Sequence, residues 1–251
     1  MRKGLQQLCF AAALVWLLVS CSDDASLSAV NQPTTGKGGS MARFTVSGDF
    51  LYTVDDANLH LFDISSPANP IKTKDVSLGV GVETIFPFQD KLFIGTQTGM
   101  HILSIQNPQA PQQISTYEHV ASCDPVVTDG RYAYVTVSSG TNCQRGVNEL
   151  HILDLQNLTA PTLLKRYQMT NPKGLGIDGN LLFVCDNGLK VFDASNVTAL
   201  AQKHHFPINA YDVIPGNGHL LVIGTDGFYQ YRYNGQDVSL LSKIEVQPAK
   251  E

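Results

Sequence analysis

A five-residue pattern recurs down this chain and restricts its fold more than any single residue does. Leu59-His60-Leu61-Phe62-Asp63 returns as Met100-His101-Ile102-Leu103-Ser104, as Leu150-His151-Ile152-Leu153-Asp154, as Leu189-Lys190-Val191-Phe192-Asp193 and, degraded, as Phe228-Tyr229-Gln230-Tyr231-Arg232. The copies lie about 40 residues apart, with one insertion ahead of the third, and β-rich units of that period stack into propellers or related arrays.

One unit reads as a meander. Ala42 to Val46 is a short apolar stretch, Ser47-Gly48-Asp49 a turn, Phe50 to Val54 a second strand, Asp55 to Asn58 a turn, and Leu59 to Ile64 a third strand. Ser65 to Pro70 breaks the chain before a polar fourth run, Ile71 to Ser77. Four short strands bounded by Gly, Pro, Asn and Asp are the blade that a propeller repeats around its axis. The last unit is complete by the same reading, with strands over Tyr211 to Pro215, Leu220 to Gly224, Phe228 to Tyr233 and Val238 to Val246. The expectation is an all-β propeller of five four-stranded blades. No strand is evident before Met41 to complete the last blade, so the ring is expected to close by side-chain packing alone, the alternative being an irregular sixth blade for which residues are short.

The turn chemistry repeats as well. Pro70, Pro111 and Pro161 precede the fourth runs. Proline lacks a backbone donor and suits the start of an outermost strand, where it also discourages edge-to-edge association. Asp63, Asp154 and Asp193 stand just before these turns, placed to accept from nearby backbone amides.

This strand-Asp-turn pattern resembles the LVIVD-repeat family of bacterial lipoprotein β-propellers. The likeness runs from Met41 to Val246, good in copies one, three and four, weaker in copy two, where Ser104 replaces the Asp, and poor in copy five. The resemblance implies an exported or surface-associated propeller and carries no catalytic residue across.

The first twenty residues lie outside the fold. Arg2 and Lys3 precede an apolar run, Leu8 to Val19, which fits a secretory signal and is too short to span a bilayer as a helix. Leu18-Val19-Ser20-Cys21 resembles a lipoprotein box, making Cys21 the lipidated residue. From Cys21 to Ser40 the chain is small and polar and reads as a tether, with Gly36 to Ser40 as linker and residues 41–251 as the propeller. Ser22-Asp23-Asp24 resembles the acidic tether signals of surface lipoproteins, so the expected location is the outer membrane, periplasmic or cell-surface facing. The formal net charge of −5 and the lack of basic clusters exclude a nucleic-acid partner.

The candidate sites follow from the blades. His60, His101 and His151 hold one position in successive units, too far apart to share a metal when sheets pack about 10 Å apart, and are read as structural; no metal or cofactor is expected. Cys123 opens the first strand of the third unit and Cys143 lies beyond its second, so antiparallel pairing sets them at one end of a hairpin. The expected disulfide closes about 20 residues and contributes roughly 3 kcal/mol; two free thiols or a metal pair are the alternative. Cys185 reads as a small buried hydrophobe. The long polar loop from Ser138 to Gly146, with Arg145, shares a rim with the first-strand starts Arg43, Glu83, Asp124, Lys173 and Asp212 and with Glu118 and His119. That rim is the candidate binding face, because loops on rigid scaffolds carry function. The expected function is a lipid-anchored, non-catalytic scaffold that binds an envelope protein or glycan. The alternative is a glycosidase-like hydrolase using Glu83, Asp124 or Asp212, since paired carboxylates can cleave a glycosidic bond.

Overall fold

The computed structural model describes residues 38–118, 125–139 and 147–246. Within them, blade 1 comprises β1 (Phe44–Ser47), β2 (Phe50–Val54), β3 (Asn58–Asp63) and β4 (Ile71–Ser77). Blade 2 comprises β5 (Val82–Phe88), β6 (Lys91–Thr96), β7 (Gly99–Ser104) and β8 (Gln112–Glu118). Blade 3 holds β9 (Val126–Thr128), β10 (Tyr132–Val137), β11 (Glu149–Asp154) and β12 (Thr162–Gln168). Blade 4 holds β13 (Pro172–Asp178), β14 (Leu181–Asp186), β15 (Leu189–Asp193) and β16 (Ala201–Phe206), and blade 5 β17 (Ala210–Gly216), β18 (His219–Gly224), β19 (Gly227–Tyr233) and β20 (Val238–Glu245). Each blade is an antiparallel meander paired in chain order, and among the described residues no strand is exchanged between the first and last sheets.

The repeated turn is built as its residues require. Asp63 accepts from the Ser65 amide at 2.9 Å, Asp154 from Gln156 at 2.7 Å and Asp193 from Ser195 at 3.0 Å, while Ser104 takes the same role toward Gln106 at 3.3 Å. Asn157 and Asn196 then accept from the amide and the hydroxyl of Thr159 and Thr198, so both Asn-x-Thr sequences serve as turns. The prolines stand where the outer strands begin. A register shift between the third and fourth strands recurs in every blade, at Leu61/Phe62, Ile102/Leu103, Ile152/Leu153, Val191/Phe192 and Gln230/Tyr231. Such a bulge adds twist to an edge and blunts it against pairing.

Alternation along the strands gives each blade two faces, and four apolar interfaces stack the five blades. Tyr52, Val54, Leu59 and Leu61 of blade 1 pack on Ile85, Leu92, Ile94 and Leu103 of blade 2. Phe93, Met100 and Ile102 meet Val126, Ala133, Val135 and Leu153 of blade 3. Tyr134, Leu150 and Ile152 meet Leu175, Leu182, Val184 and Phe192 of blade 4, and Phe183, Cys185, Leu189 and Val191 meet Val213, Leu220, Val222, Tyr229 and Tyr231 of blade 5. Each fully buried aliphatic or aromatic side chain contributes about 1.5–3 kcal/mol. The Tyr52 hydroxyl reaches across its interface to donate to the Pro108 carbonyl at 2.9 Å, and burial pushes its pKa up to about 12.

The fifth interface departs from the expected closure by side-chain packing. Phe228 of blade 5, the counterpart of the fully buried Leu189, is 48% exposed, and Phe44 of blade 1, the counterpart of the fully buried Ile85, is 61% exposed. Blade 5 and blade 1 are instead joined near the axis by polar bonds. The Ser40 hydroxyl donates to Asp212 Oδ1 at 2.9 Å and accepts from the Leu175 amide at 2.8 Å, and the Met41 amide donates to Asp212 Oδ2 at 3.3 Å. The reading of Gly36 to Ser40 as linker is therefore corrected at its end: Ser40 is 1% exposed, and a Cβ on Gly39 would stand 1.9 Å from Asp212 Oδ2. Only a residue without a side chain lets the backbone come this close.

Candidate functional site

The inner strands present their N-terminal ends, and the second-to-third-strand turns, on one rim. Register determines which side chains share a position there. Ile85, Leu175 and Val213 pair with equivalent residues of their second strands, so Glu83, Lys173 and Tyr211 are counterparts, and Asp212 is the counterpart of Thr84 and Gly174. Register shifts at Val82/Thr84, Pro172/Leu175 and Ala210/Asp212 mark the same place in three blades.

The residues expected on the rim divide accordingly. Arg43 is exposed and donates to the Val82 carbonyl at 3.2 Å, linking blade 1 to blade 2. Glu83 and Lys173 are half-buried at the mouth. Asp212 points the other way: it is 6% exposed and beneath the mouth, its carboxylate engaged by Ser40 and Met41. Burial raises its pKa, against the bonds that lower it. Its placement beside residues 39–41, rather than among the first-strand side chains facing solvent, follows from the extra residue at Tyr211. His119, Asp124, Arg145 and the Cys123–Cys143 pair lie outside the described residues, as does Cys21. Cys185 is buried, and desolvation holds its thiol well above the usual range.

The three repeated histidines sit on separate blades with separate partners. His60 lies between Asp75, 2.6 Å from Nδ1, and Asp55, 2.9 Å from Nε2. His101 Nδ1 is 2.9 Å from the Thr116 hydroxyl, and His151 Nε2 is 2.8 Å from Glu149.

Between blades 4 and 5 the rim opens into a cavity of about 310 Å³. Its walls are the start of β13 (Asn171, Lys173), the β14–β15 turn (Asn187, Gly188), His205 of β16 and the connection Pro207 to Asn209. Lys173 was legible in the sequence as a first-strand residue; Asn171, Asn187, His205 and Asn209 were not singled out. The Asn187-Gly188 turn and the Asn171-Pro172 start were the available signals, since Asn and Gly accept the left-handed backbone of tight turns, and Asn187 and Gly188 have positive φ here, 49° and 120°.

Hydrogen bonds, several of them to one buried carboxylate, hold the walls of the cavity. Asp186, fully buried, accepts from the Thr170 amide at 2.9 Å and the Asn171 amide at 2.6 Å through Oδ1, and pairs with Lys190 Nζ at 2.6 Å through Oδ2. The Lys173 carbonyl accepts from Thr136 of blade 3 at 2.6 Å. His205 Nε2 donates to the Asn187 carbonyl at 2.8 Å. Gly188 cannot carry a side chain, since its Cβ would meet the Phe206 carbonyl oxygen at 2.4 Å and His205 Nε2 at 2.7 Å. Polar walls held by a rigid second layer suit recognition of a polar ligand without reorganisation.

Comparison with known proteins agrees with this architecture. The family model for the LVIVD repeat matches residues 38–77, 122–169 and 172–206, which contain blades 1, 3 and 4. No curated protein matches the sequence. Among solved structures, a protein from Lactobacillus plantarum superposes with a TM-score of 0.64 at 16% identity over 78% of this chain and 67% of its own. A putative 6-phosphogluconolactonase from Bacteroides fragilis gives a TM-score of 0.61 at 10% identity over 81% of this chain and 69% of its own. The computationally designed Ika8 protein gives 0.58 at 13% identity, over 80% of this chain and 60% of its own. At these identities the likeness concerns the fold. With five stacked four-stranded meanders and three segments that match the LVIVD repeat, this chain is a β-propeller that carries LVIVD repeats.

Proposed function

We propose that this propeller is a non-catalytic binding scaffold, held at the cell envelope through a lipid on Cys21, which captures a glycan or protein partner on the rim between blades 4 and 5. The observation that carries the reading is the cavity lined by Asn171, Lys173, Asn187, His205 and Asn209, with its walls fixed by Asp186. Of the acids named for a hydrolase, Asp212 is buried with its carboxylate engaged by Ser40 and Met41, which favours a scaffold over a hydrolase that would use it. The signal-like N-terminus and the Cys21 box support export and anchoring, and outer-membrane attachment is the location they fit.

Incubating the full-length protein with fractionated envelope polysaccharide and envelope protein tests the reading. One fraction should be retained by the wild type and lost by an Asn187→Gly, Asn209→Ala double variant, glycine being the residue that keeps the left-handed backbone at 187, with its thermal midpoint unchanged. Retention that ignores these substitutions would remove the cavity from the account, and Glu83-dependent turnover of the retained material would replace the scaffold with an enzyme. Cys21→Ser should release the protein from the membrane fraction.

A further inference from the structure

Resting on that reading of the rim, we infer that the cavity between blades 4 and 5 receives an acidic saccharide, with the carboxylate of a hexuronate unit at Lys173 and its hydroxyls on the asparagines. The charge of the lining is the first ground. Lys173 and His205 face the cavity, and among the described residues no Asp or Glu lines it. Among the same residues Lys173 has no carboxylate within ion-pair distance; its ammonium lies 4.1 Å from the centroid of the Tyr211 ring. Asp186, the nearest acid in sequence to the Asn187 turn, is turned inward and consumed by two amides and Lys190. The Tyr211 ring positions this ammonium without supplying a hydrogen-bond acceptor of the carboxylate kind, so N–H donors remain for an anion.

The remaining walls decide the class of anion. Asn171, Asn187 and Asn209 each offer a carbonyl and an amino group, the pairing that hydroxyls, at once donors and acceptors, satisfy. Pro207 and Ile208 add an apolar surface against which the C–H face of a pyranose can rest. The backbone of the lining turns is bonded to itself, Asp186 N to Gly188 O at 2.9 Å, Ile208 N to Phe206 O at 2.9 Å and Ala210 N to Ile208 O at 2.9 Å. An extended peptide adding by main-chain pairing finds no partner in those groups. At the counterpart of Lys173 in blade 2 the chain carries Glu83, and the turn there is Gln97-Thr98, so the composition belongs to this interface rather than to the repeat.

Calorimetric titration of the full-length protein with oligogalacturonate and oligomannuronate, each also as its neutral methyl ester, tests the inference. At least one uronate should bind, with its ester weaker by about tenfold or more, as expected for loss of a charge-assisted bond. Lys173→Gln should abolish the difference between acid and ester, Lys173→Arg should keep it, and Asn187→Gly, which leaves the left-handed backbone unstrained, should weaken acid and ester alike. Equal binding of acid and ester, or uronate binding unchanged in Lys173→Gln, would overturn the inference. Should no uronate bind while a neutral glycan or a protein is retained through Asn187 and Asn209, the acidic-saccharide assignment falls and the scaffold reading stands. If no fraction is retained, both fall.

Discussion

Blades 4 and 5 share a strand pattern and differ in what lies against it. On the face of blade 4 directed at blade 5, Phe183, Cys185, Leu189 and Val191 are almost wholly buried; at the same positions blade 5 carries Leu221, Ile223, Phe228 and Gln230, with Leu221 and Phe228 near half exposure. The side chains of blade 5 stay largely apolar, but among the described residues no apolar cluster includes Leu221, Ile223 or Phe228. Blade 1 manages its open face differently. His60, between Asp55 and Asp75, and Lys72, 2.8 Å from Asp75, cover part of it with charge, as terminal repeats of stacked arrays do when they meet water. Strand alternation therefore assigns a face, whereas stacking alone makes that face stabilising.

The difference predicts unequal costs for equal substitutions. Leu189→Ala should lose about 2–5 kcal/mol of stability by denaturant titration, since a fully enclosed site cannot collapse around the deletion. Phe228→Ala, one repeat later, should lose less than about 1 kcal/mol, since a half-exposed ring surrenders little burial. A comparable loss from both would mean that blade 5 has a packed neighbour. Between these, Ser40→Ala removes the hydroxyl that joins Asp212 to Leu175 and should cost about 1–3 kcal/mol, because the buried groups on both sides lose their partner. Loss of that bond without effect would show that the polar joint near the axis does not hold the first and last blades together.

Smaller and opposite in sign are the responses of two equivalent histidines to pH. Asp75 and then Asp55 raise the His60 pKa, so its contribution to stability is complete below the unfolded value of about 6.5 and is lost as pH rises through the folded value. Burial lowers the pKa of His101, so its neutral form is favoured, and stability falls as acid protonates it below the unfolded value. His60→Asn should therefore destabilise more at acidic than at alkaline pH, and His101→Asn should make stability less sensitive to acid. Histidine resonances followed by NMR titration would settle both directions; shifts of the same sign would contradict the assignment of an open face to blade 1 and a packed one to blade 2.

Much of the fold was legible because the pattern that encodes it is local. Phe50–Val54 and Ile71–Ser77 fall where their alternation and turns predict, and the Asp63, Asp154 and Asp193 turns bond as their side chains require. What escaped was non-local. The buried place of Ser40 and Asp212 depends on residues 172 positions apart in sequence, and no periodicity reports such a contact. The open face was visible only as the degraded copy around Gln230, which shows a changed side chain and not a missing neighbour. In the candidate site Lys173 could be placed from strand position. Asn171, Asn187, His205 and Asn209 come from four different segments whose convergence depends on how two blades meet.

Cys185 supplies its own reference for the central claim, since it occupies in blade 4 the strand position that Ile223 occupies beside Leu221 and Phe228 in blade 5. Thiol labelling of the native Leu221→Cys protein, mapped by peptide mass, measures both faces in one sample. The thiol introduced on blade 5 should label at a rate approaching that of an unfolded chain, while Cys185 labels only on global unfolding. Equal protection of the two thiols would show a closed ring and contradict the account.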